Sequence, residues 1–242
     1  AYILLCFVSI YYFLFARKSS KHILSYLRNR LGFSKFKSLH YLYKNYFSFG
    51  QSLIDKVAIS SGLAHKFSFN FDDEKYLNEM ADLGKGGLLL SAHVGNWEAA
   101  GYLLERLKTN ISIVMFDGEH QKIKQYLESV TATKKASVIV IKDDLSHIYA
   151  INEALSKNEL VCMHADRFIE GNKTITTDFL GKPARFPIGP FVLAAQFKVP
   201  VCYAFAMKET AFHYYFQATP VLWYDYSNKN AAVQQMVDDF AA

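Results

Sequence analysis

The sequence predicts an α/β fold on a mostly parallel central sheet flanked by helices, and three observations carry that prediction. Short apolar runs recur from Gly86 onward, segments with helical spacing separate them, and an apolar, aromatic-rich helical stretch precedes both. The runs at 88–92, 111–116, 138–141, 160–164 and 201–206 have the length and bulk of strands buried on both faces. Helices are expected between them at 97–107, 121–129, 145–156 and 189–197. Strand alternating with helix implies parallel βαβ units, which place a ligand site at the carboxyl ends of the strands. Motifs that directly follow a strand therefore carry the most weight.

The N-terminal stretch, 1–16, is almost wholly apolar and is followed by Arg17, Lys18 and Lys21. A bilayer span needs about 20 apolar residues, so this segment is expected to be a membrane-anchor or membrane-associated helix, with a core helix of the domain as the alternative. Cations just after it would lie on the cytoplasmic side. A secretory signal fits poorly, because the charges follow the apolar run and no small-residue cleavage site comes next. From Ser20 to His65, Ile23, Leu24, Leu27 and Leu31 recur at helical steps and Tyr41, Tyr43, Tyr46, Phe47 and Phe49 crowd the next stretch, with Gly32, Gly50 and Gly62 as punctuation. Residues 17–242 are expected as one domain. Near its end, 203–207 and 213–218 suit an antiparallel pair, and a helix starting at 231 looks cut short.

Composition narrows the partners. Hydrophobic residues make up 51% of the 242 and aromatics 16%, which leaves apolar surface in need of a partner, and lipid is the expected one. The formal charge is +5, with Lys and Arg spread along the chain rather than gathered in a run. That argues against nucleic acid and leaves a solvated surface or attraction to anionic headgroups open. Cys6, Cys162 and Cys202 are widely spaced in apolar surroundings, as suits free thiols in a reducing compartment rather than a disulfide framework or metal site.

The chemistry concentrates at His93-Val94-Gly95-Asn96-Trp97-Glu98, immediately after the first strand of the α/β region. Residues five apart are about 140° out of line on a helix, so His93 can meet Glu98 only from the turn that precedes the helix. Gly95 eases that turn, and Asn96 suits an N-cap. An imidazole so placed takes a proton from an attacking hydroxyl while a carboxylate holds its other nitrogen. No Gly-x-Ser-x-Gly elbow supplies a nucleophile, and N–H groups at the helix start or the Asn96 amide would stabilise an oxyanion. A capped helix with an incidental histidine is the competing reading. Further on, Arg167 follows a strand and suits a phosphate or carboxylate fork, or an ion pair with Asp166. Lys182 and Arg185 suit a cationic rim or a solvated loop shaped by Pro183, Pro187 and Pro190, and His164 reads as a structural histidine. Gly84, Gly86 and Gly87 are too weak a cluster for a phosphate loop.

The block from Ser91 to Gly101 resembles the signature of the lipid A biosynthesis lauroyl/myristoyl acyltransferase family, within the lysophospholipid and glycerol-phosphate acyltransferase group marked by His, four residues, then an acidic residue. A second block, Cys162-Met163-His164-Ala165-Asp166-Arg167 followed by Phe179-Leu180-Gly181-Lys182-Pro183-Ala184-Arg185, is similar to that family's acidic-basic pair and Phe-x-Gly-x-Pro-Ala loop. Lys37-Ser38 and the stretch from Phe49 to Lys56 resemble its upstream helical region, so the likeness runs from near the first residue to beyond Pro220. It departs at the end, where the family continues into an aromatic-rich tail. The resemblance implies a glycerol-phosphate acyltransferase-like fold and transfer of an acyl chain from a thioester to a hydroxyl or amine of a lipid. His93 would be the base and Glu98 its orienter, with Asn96, Asp166, Arg167, Lys182 and Arg185 binding substrate. It implies acyl carrier protein or acyl-CoA as donor, no metal or bound cofactor, and the cytoplasmic face of the inner membrane as location. A lysophospholipid, amino-acid lipid or pigment acceptor, or a non-catalytic lipid-binding protein, are the alternatives.

Overall fold

A computed structural model describes residues 1–96, 106–116, 136–142 and 144–242. Glu98 and almost all of the helices expected at 97–107 and 121–129 lie outside the described residues. The chain forms two compact units: unit 1 comprises 1–64 and 178–183, and unit 2 comprises 65–177 and 184–242.

Unit 1 is built on three helices, α1 (Tyr2–Phe15), α2 (Arg17–Asn29) and α3 (Lys35–Ala58). The expected N-terminal helix ends at Phe15, and α2 leaves it at 88°. No single helix among the described residues is long and apolar enough to cross a membrane. Ser34 caps α3, its hydroxyl accepting from the Lys37 N–H. α1 turns its buried Leu5 and Ser9 toward α3, and Tyr12 stacks on Tyr46 with ring centroids 6.1 Å apart. The Tyr2 hydroxyl donates to the buried Asp55 carboxylate. Gly32 and Gly62 have φ of +65° and +83° and do end helical segments. Gly50 does not. It lies inside α3, where a Cβ would come 2.3 Å from Leu5 Cδ1, so its role is a close approach between helices.

Charge is also less evenly spread than the expectation had it. Residues 1–54 hold eight Lys and Arg and no Asp or Glu. Unit 1 carries ten Lys and Arg against two Asp, and unit 2 seventeen against twenty acids.

Unit 2 holds a seven-stranded sheet in the order β1-β9-β8-β2-β5-β3-β4. Its parallel block comprises β2 (Gly87–Ser91), β3 (Ile111–Phe116), β4 (Ala136–Ile141), β5 (Leu160–His164) and β8 (Val201–Thr210). β9 (His213–Ala218) pairs antiparallel with β8, as expected, and β1 (Ser68–Asn70) runs parallel to β9 at the edge. The α-helices described in unit 2 are α4 (Glu74–Asp82), α5 (Ser146–Ser156), α6 (Gly189–Phe197) and α7 (Lys229–Ala241). Burial on both faces explains why the central strands are unbroken apolar runs. Leu88, Leu90, Phe191, Val201 and Met236 are buried in one core, and each such side chain contributes about 1.5–3 kcal/mol relative to exposure.

The segment expected as a proline-shaped loop is instead a hairpin of β6 (Thr174–Phe179) and β7 (Lys182–Pro187). Leu180 and Gly181 have φ of +53° and +72° in its two-residue turn, the combination that matches strand twist. Pro183 and Pro187 are tolerated because a two-stranded sheet leaves N–H positions that need no partner.

Candidate active site

His93 and Asp166 sit just past the carboxyl ends of adjacent parallel strands, β2 and β5, which pair Ser91 with His164. From β2 the chain rejoins the sheet beyond β5, as β3, and from β5 it next rejoins it beyond β2, as β8. Connections that diverge in this way open a crevice at the strand ends.

The four residues that follow β2, Ala92-His93-Val94-Gly95, form an arch with both feet tied. On one side, the Ala165 N–H donates to the Ser91 carbonyl at 2.8 Å. On the other, Gly95 bridges to Ala206 on β8, and the Asn96 N–H donates to the Ala206 carbonyl at 2.8 Å. Gly95 is required there twice over: its φ is +69°, and a Cβ would lie 1.9 Å from the Ala206 oxygen. Asn96 is 4% exposed, and its side-chain amide donates to the Tyr214 hydroxyl on β9 at 3.1 Å.

Across the arch, Asp166 grips His93 at two points. One carboxylate oxygen meets Nδ1 at 2.8 Å and the other accepts from the His93 backbone N–H at 3.0 Å. Burial works against the Asp166 charge, but the bonds from the His93 ring and backbone outweigh it and hold the carboxyl below its usual range. An ionised carboxylate on Nδ1 fixes that nitrogen as the N–H and makes Nε2 the basic atom of the ring. The sequence reading gave Asp166 to substrate. Its place on His93 went unread because the two are 73 residues apart, and only the pairing of β2 with β5 brings them together.

His164 lies over the His93 ring, with centroids 4.1 Å apart. Burial, and then the nearby His93, push its pKa down to about 4, so it is neutral at pH 7. Ligand atoms of His93, His164 and Asp166 all lie within 4.8 Å of one another, a set that could hold a metal ion. Burial pushes the thiols of Cys162 and Cys202 up to about 12, which removes both as thiolate nucleophiles.

His93 and His164 open onto a cavity of about 530 Å³ over the ends of β3, β4 and β5. Val114, Met115, Phe116, Ile141, Met163 and Leu193 give it apolar walls, and Arg167 and Lys173 line it as cations. The structure thus brings His93, Asp166 and Arg167 together. Arg185 is exposed, its guanidinium 5.3 Å from the ring centroid of Phe168, another lining residue. Lys182 belongs to unit 1, where its ammonium donates to the Asn29 carbonyl at the end of α2 at 2.6 Å.

Fold and site define an α/β protein with an imidazole–carboxylate pair on the wall of an apolar cavity. Residues 41–242 match the family of bacterial lipid A biosynthesis acyltransferases, and the chain belongs to that family. A phosphatidylinositol mannoside acyltransferase of Mycobacterium tuberculosis (strain ATCC 25618 / H37Rv) is 28% identical over 126 residues, covering 50% of this chain and 38% of that protein. The protein of the same name from strain CDC 1551 / Oshkosh gives the same figures. The chain therefore spans well under half the length of the curated relatives it matches.

Proposed function

We propose that this protein transfers a fatty acyl chain from an acyl thioester to a hydroxyl or amine of a lipid, on a glycerol-phosphate acyltransferase-like fold. The observation that carries the reading is the Asp166–His93 pair on the wall of an apolar cavity with a cationic lining. Nε2 of His93 takes the proton as the acceptor oxygen or nitrogen attacks the thioester carbonyl. The C–S bond then breaks, and the imidazolium returns the proton to the departing thiolate, so an ester or amide and a free thiol leave a regenerated base. Asp166 keeps the ring oriented and stabilises its cationic form. Glu98 remains the acidic partner that the family's spacing implies, beside an orienting contact that we assign to Asp166.

The acyl chain fills the apolar walls, since each methylene removed from water contributes about 0.8 kcal/mol. Arg167 and Lys173 hold a phosphate of the donor or acceptor. We assign the donor to acyl carrier protein or acyl-CoA, with no metal or bound cofactor, and the acceptor to a lipid at the cytoplasmic face of the inner membrane. The phosphatidylinositol mannoside acyltransferase relatives support a glycosylated lipid within that class.

The test is acyl transfer from radiolabelled acyl carrier protein, and separately from acyl-CoA, to extracted bacterial lipids. His93→Ala should lower turnover by about 10²- to 10⁴-fold, the range of general-base contributions, with an unchanged melting temperature. A folded His93→Ala protein that transfers acyl chains at the parental rate would end this reading.

A further inference from the structure

The acyl-transfer scheme uses His93 and Asp166 and gives no task to His164, whose ring centroid lies 4.1 Å from that of His93. Together the three put two imidazoles and a carboxylate at the strand ends, with ligand atoms that all lie within 4.8 Å of one another. Their backbones are fixed relative to each other. His164 is the last residue of β5 and pairs with Ser91, the last of β2. Asp166 and His93 stand two residues further on, and the bond from the Ala165 N–H to the Ser91 carbonyl ties the two chains between them at 2.8 Å. Ligands already set on two bonded strands give up little freedom when an ion arrives.

Four ligands around a zinc ion lie about 2.0–2.2 Å from the metal and so about 3.3–3.6 Å from one another. Separations of 4.8 Å or less reach that spacing by side-chain movement alone. Asp166 has lone pairs for the purpose: Oδ2 keeps the bond from the His93 N–H, 3.0 Å long, while Oδ1 turns to the ion. The cavity that His93 and His164 line has room for the water that completes the shell. Two imidazoles with one carboxylate suit Zn²⁺, whereas Mg²⁺ and Ca²⁺ take oxygen ligands. Arg167 and Lys173 on the cavity lining oppose any cation, so three protein ligands here hold an ion that a chelator removes.

We infer that His93, His164 and Asp166 form a reversible inhibitory site for Zn²⁺. Bound at Nε2 of His93, the ion takes the lone pair that would accept the substrate proton. Bound at Nδ1, it leaves the one ring proton on Nε2, so the base is lost either way. The ion site stands independently of the acyl-transfer reading, and the inhibition rests on that reading.

Metal titration of the whole protein, stripped with EDTA, tests both. Co²⁺ as a stand-in should give the visible absorption bands of a four-coordinate ion at one ion per chain, and Zn²⁺ should bleach them. Acyl transfer should fall with the same Zn²⁺ dependence, recover on EDTA and ignore equal Mg²⁺ or Ca²⁺. Losing a group that merely supports a metal ligand costs about 10- to 100-fold in affinity, so His164→Gln, which removes a ligand itself, should cost about 10²-fold or more. Its inhibition curve, relative to its own metal-free rate, should shift by the same factor. Should circular dichroism show His164→Gln unfolded, Asp166→Asn replaces it, read through the Co²⁺ bands alone. Bands at parental affinity in a folded variant would place the ion elsewhere and overturn the inference, as would their absence from the parent. Zn²⁺ that displaces Co²⁺ without slowing transfer would overturn the inhibition. A stripped parent that shows the bands but transfers no acyl chain would overturn the acyl-transfer reading and the inhibition with it, while the ion site stands.

Discussion

The two units differ in surface and in charge. Unit 2 packs strands that are apolar on both faces between helices and carries slightly more acid than base, whereas unit 1 leaves large apolar side chains on its outer faces and gathers ten cations against two acids. The close approaches differ in the same sense. Gly95 in unit 2 touches a backbone carbonyl, and Gly50 in unit 1 touches the end of a leucine side chain. If that contrast is functional, unit 2 substitutions should change turnover or stability, and unit 1 substitutions should change partitioning.

The largest effect should come at Asp166. Asp166→Asn keeps the shape but removes the charge that stabilises the imidazolium, so kcat should fall on the order of 10²-fold or more while vesicle binding stays parental. Steady-state kinetics beside flotation separates the two, and equal losses in both would dissolve the contrast. Gly95→Ala comes next. A Cβ 1.9 Å from the Ala206 oxygen in a left-handed conformation has nowhere to go, and a stability loss of about 2–4 kcal/mol is expected from chemical denaturation.

The third effect depends on pH. His164 is held at about 4, below its usual 6.5, so the unfolded chain binds a proton that the folded one refuses. Its contribution is therefore fully present above pH 6.5 and is lost as pH falls toward 4, with a slope of at most about 1.4 kcal/mol per pH unit. Denaturation of the parent and His164→Gln across that range should diverge, the variant being flatter. Gly50→Ala should do least. The gain in helix propensity of about 1 kcal/mol opposes the contact with Leu5 Cδ1, a flexible atom, so the melting temperature should move by only a degree or two. A collapse of unit 1 would show that its packing is as rigid as that of unit 2.

Several elements were legible because one signal sufficed. The strands at 111–116 and 160–164 and the helix at 189–197 fall where apolar runs, or apolar spacing after Pro190, place them. The edge strand β1 is three residues long and gives no period to read. The β6–β7 hairpin hid behind Pro183, Gly181 and Pro187, which argue for a loop unless a two-stranded sheet is considered. At the candidate site, the position of His93 at a strand end was readable from the apolar run before it. The carboxylate on its ring was not, because strand order is a property of the whole sheet, and His93 and Asp166 are neighbours only because β3 and β4 lie outside β5. A stricter use of the strand-end rule would have paired the two motifs, as both follow parallel strands directly.

The tied arch at 92–95 makes His93 part of a ladder rather than a loop. The Asn96 amide is bonded to Ala206, and the His93 amide to Asp166, so both protons can exchange with solvent only when β8 or β5 lets go of the arch. Deuterium uptake at these two amides would then time how often the imidazole comes out of register. That clock runs in the resting protein, before any substrate is bound.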